Sequence, residues 1–243
     1  MRKLVASMAA AVAAIAFAQA PAEAGTATEC TGTLTGTIDS RLVVPEGETC
    51  RLDGATVNGN VRVLEGATLV SHDSTINGNV NGSGARAVRL LDTDVVGTGT
   101  SGNINLQGTL NRIVIGAAGC AVDPAVGNNI TLINNFGRIA ICEMTTGETI
   151  TLQGNEGRIG VFDNVVGNSL VIKGNTGDFT RIRDNEVGTT HGGSITIANN
   201  SSQVVVKRNA ANSKFACSAN DPAPVGGGNT AGAGLGGQCA LLG

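Results

Sequence analysis

A unit of about twenty residues recurs along most of this chain, and it limits the fold more than any other feature. At an offset of 19, Glu46-Gly47 falls on Glu65-Gly66, and Thr56-Val57-Asn58-Gly59-Asn60-Val61 falls on Thr75-Ile76-Asn77-Gly78-Asn79-Val80. At an offset of 20, Ile130-Thr131-Leu132 falls on Ile150-Thr151-Leu152, and Gly137-Arg138-Ile139 on Gly157-Arg158-Ile159. A third copy continues through Leu170, Ile172, Asn175 and Gly177. One inserted residue then brings Val161 and Asp163-Asn164 onto Ile182 and Asp184-Asn185. The last copy keeps Ile195-Thr196-Ile197, Asn200 and Val204-Val205-Val206.

Within each unit the apolar residues alternate, as in Ile130/Leu132, Ile139/Ile141, Ile150/Leu152 and Ile159/Val161. Period two over short β-branched runs, punctuated by Gly and Asn, specifies strands. No segment after the N-terminal leader carries the i, i+3, i+4, i+7 stripe of an amphipathic helix. Two or three strands per unit cannot bury an apolar face alone, but stacked units can. The expected fold is therefore all-β: a single-domain parallel β-helix, a solenoid with one coil per repeat. Equivalent side chains of successive coils then stack about 4.8 Å apart in apolar columns. Asn135, Asn155 and Asn175 fall on one such column at a turn, and Asn164 and Asn185 on another, with Asn209 as a further member. Each carboxamide can donate to the next as a side-chain ladder, and Asn also tolerates the left-handed backbone of a sharp corner.

Residues 1–24 read as a signal peptide: Arg2 and Lys3, an apolar Ala-rich run from Leu4 to Phe17, then the small-x-small patterns Ala18-Gln19-Ala20 and Ala22-Glu23-Ala24. The run is short of the ~20 residues that span a bilayer, and no membrane span is expected later. Removing it leaves 219 residues from Gly25 to Gly243, enough for about ten coils. Residues 25–216 are assigned to the β-helix and 217–243 to a Gly/Ala-rich C-terminal cap or loop. Six cysteines, Cys30, Cys50, Cys120, Cys142, Cys217 and Cys239, agree with an oxidising compartment. Residues one coil apart become vertical neighbours, so sequential pairing (30–50, 120–142, 217–239) is expected. Close Cys-x-x-Cys or Cys/His clusters of a zinc site are absent from the sequence. The formal net charge is −3, which as a sum gives no footprint for nucleic acid.

The Val-Asn-Gly-Asn-Val, Glu-Gly-Ala-Thr-Leu and Gly-Asn-x-Gly-Arg-Ile units resemble those of secreted bacterial right-handed parallel β-helix proteins of the pectin-lyase-like group. The resemblance covers nearly all of residues 30–215 and is carried by structural motifs. It implies a right-handed coil and, in many relatives with such plain repeats, no assigned activity. It also implies a catalytic alternative, because lyases on this fold use an Arg base and hydrolases use paired Asp. The best cluster for that chemistry is Arg181, Arg183, Asp184 and His191, with Glu186 nearby: a cation for a sugar carboxylate, and a base or acid at the reacting carbon or bond. Their order differs from the hydrolase motifs, and the preceding paired aspartates are missing. Strand alternation alone would put Arg181 and Arg183 on a solvated face.

Trp and Tyr, the usual platforms for sugar rings, do not occur in the chain. Asp92-Thr93-Asp94 followed by Gly97 is a fragment of a calcium loop without its distal Glu. Thr131 and Thr151 begin, but do not complete, the regular Thr column of an ice- or mineral-binding face. No motif calls for a cofactor or metal. The expected function is that of a secreted, non-catalytic structural or adhesive surface-interaction β-helix. The alternative is a polysaccharide lyase or glycoside hydrolase acting on acidic glycans. The partner classes are a cell-surface or matrix polymer, or a second copy stacked end to end, and neither nucleic acid nor a membrane span is expected.

Overall fold

The computed structural model describes residues 27–97, 99–116 and 124–243. The leader read over residues 1–24 lies outside them, as does Cys120. Among the described residues every regular element is a strand, and no helix is long and apolar enough to cross a membrane.

The chain winds as a parallel β-solenoid of ten coils with one further strand at its C-terminal end. Each coil has three sides. The first face is an eleven-stranded parallel sheet that begins at Thr28–Glu29 and ends at Leu235–Gly237. The other two faces share an eighteen-stranded network, because Thr33–Ile38 and Thr49–Val57 each run through a corner and serve both. Beyond these the second face continues from Thr68–His72 to Val225–Gly227, and the third from Thr75–Asn77 to Thr230–Ala231.

Register follows the repeat. On the first face Ile130 pairs with Ile150, Ile150 with Leu170, Leu170 with Ile195 and Ile195 with Phe215. On the second, Ile139 pairs with Ile159 and Ile141 with Val161, which pairs with Ile182. Alternation points these residues inward, and all of them are buried. The core is thus a set of columns of Ile, Leu and Val running the length of the molecule, each fully buried side chain contributing about 1.5–3 kcal/mol. The outward partners take whatever polarity water allows. On the first face these include Thr131, Thr151 and Thr196, interrupted by Val171.

Two bridges staple the ends: Cys30–Cys50 and Cys217–Cys239, with Cα–Cα distances of 5.2 and 5.1 Å. Cys142 stands half-buried on the second face beside Phe162. Residues 217–243 do not leave the coil. Val225–Gly227, Thr230–Ala231 and Leu235–Gly237 pair in parallel with the strands before them. Two amides carry the coil onward through this Gly-rich stretch: Asn220 and Asn229 each accept from the Asn one coil earlier.

Candidate functional site

Asparagine ladders run along the corners. Between the first and second faces, Nδ2 of Asn135 donates to Oδ1 of Asn155 at 2.9 Å, and Asn155 to Asn175 at 3.0 Å. The series continues through Asn200 and Asn220 to Gln238. Between the second and third faces Asn164 donates to Asn185, Asn185 to Asn209 and Asn209 to Asn229. These asparagines are buried, and each Nδ2 also reaches a backbone carbonyl, as Asn155 does to Leu132 O. They hold the coil together and offer nothing to solvent.

Chemistry has to come from the outward positions, and the second face is the most distinctive. Arg51, Arg89, Arg181 and Arg183 point outward from its strands, as does Lys207. Arg112, Arg138 and Arg158 stand immediately before its strands Ile113–Gly116, Ile139–Cys142 and Ile159–Phe162. Of these cations, Arg158 has Asp178 at 3.9 Å, and Arg183 has Asp163 and Asp184 at 3.7 and 3.6 Å. The other six have no carboxylate within 4.0 Å among the described residues.

Two phenylalanines order part of this row. The guanidinium of Arg181 lies over the Phe179 ring at 4.7 Å, and that of Arg183 over Phe162 at 5.0 Å. Phe162 itself leans over Gly160: a Cβ at Gly160 would lie 2.5 Å from its ring edge. Arg138, Arg158, Arg181, Phe162 and Phe179 enclose a hollow of about 460 Å³, with Asp178 the one carboxylate on its rim.

The corner after this face is acidic. Asp73 and Asp92 occupy it in adjacent coils and Glu143, Asp163 and Asp184 in three later consecutive ones, all with φ between 46° and 57°, and Arg208 follows at 51°. Arg208 grips Asp184 with two hydrogen bonds of 2.7 Å, and this holds the Asp184 carboxyl below its ordinary range. Burial pushes Asp163 upward, against the pull of Arg183. At the N-terminal end of the corner, His72 Nδ1 lies 2.9 Å from Asp73 and Nε2 lies 3.6 Å from Asp92. One ligand atom from each of these three residues lies within 4.8 Å of the others, so among the described residues this is the donor set that could hold a divalent cation.

Of the four residues named for the catalytic alternative, Arg183 and Asp184 lie together, 3.6 Å apart, and the other two point to different partners. Arg181 is stacked on Phe179, Arg183 bridges two aspartates, and Asp184 is bound by Arg208. His191 lies beyond the third face, in the loop after Glu186–Val187, where Nε2 is 3.2 Å from Glu148. A larger hollow of about 600 Å³ crosses the first face above Gly82, lined by Arg62, Glu46 and Glu65 among neutral groups. Arg138 and Arg158 were visible beforehand as the repeated Gly-Arg-Ile unit, but its meaning as a cationic row needed the register. The acidic corner needed the turn conformation as well.

Comparison with protein-family models, with curated proteins and with solved structures finds no match. The class of the protein is accordingly defined by its own geometry: a three-sided parallel β-solenoid, stapled at both ends and cationic on one side.

Proposed function

We propose that this is a secreted bacterial protein whose right-handed, pectin-lyase-like β-helix is a rigid, non-catalytic structural or adhesive element. Its surface faces then do the work. The observation that carries this reading is the dispersal of the four: Arg181 is stacked on Phe179, the Arg183–Asp184 pair is tied up by Asp163 and Arg208, and His191 is held at Glu148 in a loop of another face. A general acid or base needs a proton path to one substrate atom within about 2.6–3.2 Å, and His191, engaged with Glu148, is not among the partners of Arg181, Arg183 or Asp184. Among the described residues, short turns around most coils build no wall around a cleft. The two disulfides agree with an oxidising compartment.

The test is incubation of the oxidised protein with acidic and neutral polysaccharides, with and without calcium, following chain length and unsaturated ends. The expected result is no shortening. Cleavage that disappears in Arg181→Ala or Asp184→Asn would make the protein a carbohydrase.

A further inference from the structure

The sum of charges hides a segregation. The chain is net negative, yet the outward side of the second face carries a row of cations, while Asp94 and Glu186 stand outward on the third. We propose that the second face docks a linear anionic glycan, one bearing a sulfate or carboxylate on its repeating sugar, laid along the solenoid axis over Arg138, Arg158 and Arg181. This rests on the surface-interaction reading above and names its partner class.

Charge complementarity is the first argument. Arg138 and Arg181 have no carboxylate within 4.0 Å among the described residues, and Arg158 has only the distant, well-exposed Asp178. A guanidinium presents a planar fork of donors that matches the two oxygens of a carboxylate or sulfate. Spacing is the second. Ile139 and Ile159 are paired neighbours, so Arg138 and Arg158 recur at the coil spacing of about 4.8 Å, close to the length of one pyranose unit. Arg181 stems from the neighbouring column, two positions along its strand, and its guanidinium lies back over Phe179, the residue that follows Arg158 in the row, so a polymer with one charge per sugar can meet one arginine in each of these coils.

The aromatic groups decide between polymer classes. A single-stranded nucleic acid would need ring faces free for base stacking. Here the rings of Phe179 and Phe162 are covered by Arg181 and Arg183, so they hold guanidinium groups forward and offer no platform. The hollow of about 460 Å³ between the arginines gives a chain a trough to lie in, where a planar lipid surface would meet only its rim.

Affinity electrophoresis and calorimetry at low salt test this with heparin as the sulfated probe, alginate as the carboxylated one, dextran as the neutral control and oligo(dT) as the nucleic acid. Binding to heparin, alginate or both is expected, with none to dextran, and the two arms show which oxyanion is preferred. The triple variant R138Q/R158Q/R181Q should bind about a hundredfold more weakly, and the salt slope should fall by roughly one per arginine removed. Unchanged thermal unfolding of the variant shows that it folds, and Arg62→Gln on the first face should bind as the parent does. The proposal is overturned by no binding to either anionic glycan, by equal binding of the folded triple variant, or by tighter binding to oligo(dT). Probe length, followed in the same mixtures, separates the two readings. Shortened glycan defeats the non-catalytic function whatever the affinity. Intact, unbound glycan defeats only this inference.

Discussion

The coils between Leu42 and Val80 repeat every 19 residues, and those between Ile130 and Leu170 every 20. The difference sits at one corner. Between the last inward residue of the first face and the first of the second there are five residues in the short coils (Val63 to Leu69) and six in the long ones (Leu132 to Ile139). In the short coils the buried corner position is Ala67 or Ala85; in the long ones it is Asn135, Asn155 or Asn175. The extra residue thus accompanies a change from an apolar corner to a hydrogen-bonded one. The N-terminal coils keep their amides outside instead, where Asn79 donates to Asn60 at 3.0 Å and Asn103 to Asn79 at 2.9 Å. The same side chain is structural cement when buried and a surface fitting when exposed.

The sharpest way to break this comparison is steric. In the long turn, a Cβ at Gly137 would lie 1.0 Å from Asn111 O, whereas Gly47 in a short turn meets nothing within 4 Å. Gly137→Ala should therefore cost about 5 kcal/mol in denaturant unfolding. Gly47→Ala should cost only the strain of its positive φ, about 1–2 kcal/mol. Next comes the ladder itself. Asn155→Ala leaves the backbone N–H and Nδ2 of Asn135 without their shared acceptor. At roughly 1–3 kcal/mol per buried orphan, the loss should be about 4 kcal/mol. Asn79→Ala, in the half-exposed outer ladder, frees the N–H and Nδ2 of Asn103 where water can replace the acceptor, and should cost about 1 kcal/mol; equal losses at the two sites would remove the distinction drawn above.

Disulfide loss should be similar at the two ends. Loops of 20 and 22 residues give about 3 kcal/mol each by loop entropy, so Cys50→Ser and Cys239→Ser should unfold at comparably lowered denaturant midpoints. The smallest effect is electrostatic. Asp184 is depressed by Arg208, so its pairing adds stability above the unfolded carboxylate value of about 3.9, and that stability is lost as pH falls through the lower folded value. Asp163 is raised and works the other way, penalising the folded state as pH rises past about 3.9. Arg208→Gln should flatten the acid limb of the unfolding profile below about pH 4, and an unchanged limb would show that the exposed pair contributes nothing.

Much of the fold was legible because period-two alternation and fixed offsets state the register directly. Ile130 over Ile150 over Leu170 needs no structure to be read. Asn220 and Gln238 were harder to place with Asn135, since the 25 residues between Leu170 and Ile195 break the offset and the Gly-rich tail carries little alternation beyond them. The Gly-rich tail read as a cap or loop because its strands Val225–Gly227 and Leu235–Gly237 carry few side chains, so alternation has nothing to mark. The cationic row was obscured for another reason. Net charge averages over faces that the coil separates, and only register shows that Arg181 stands in the column of Gly160 and Val205.

The ladders also have a direction. In the buried corners each amide N–H donates its hydrogen bond to the coil that follows, while in the outer corner each donates to the coil that precedes. A rung such as Asn155 is therefore both a socket and a plug: it accepts from Asn135 and donates to Asn175. The stretch 150–169 begins and ends in the same hydrogen-bonding state, so a tandem copy spliced after itself would meet a matching partner on either side. Such a duplication lengthens the rod by one spacing, about 4.8 Å, and leaves both stapled ends untouched. Growth of this molecule by whole-unit duplication is open in its C-terminal half. A short coil inserted there would interrupt the amide current with Ala.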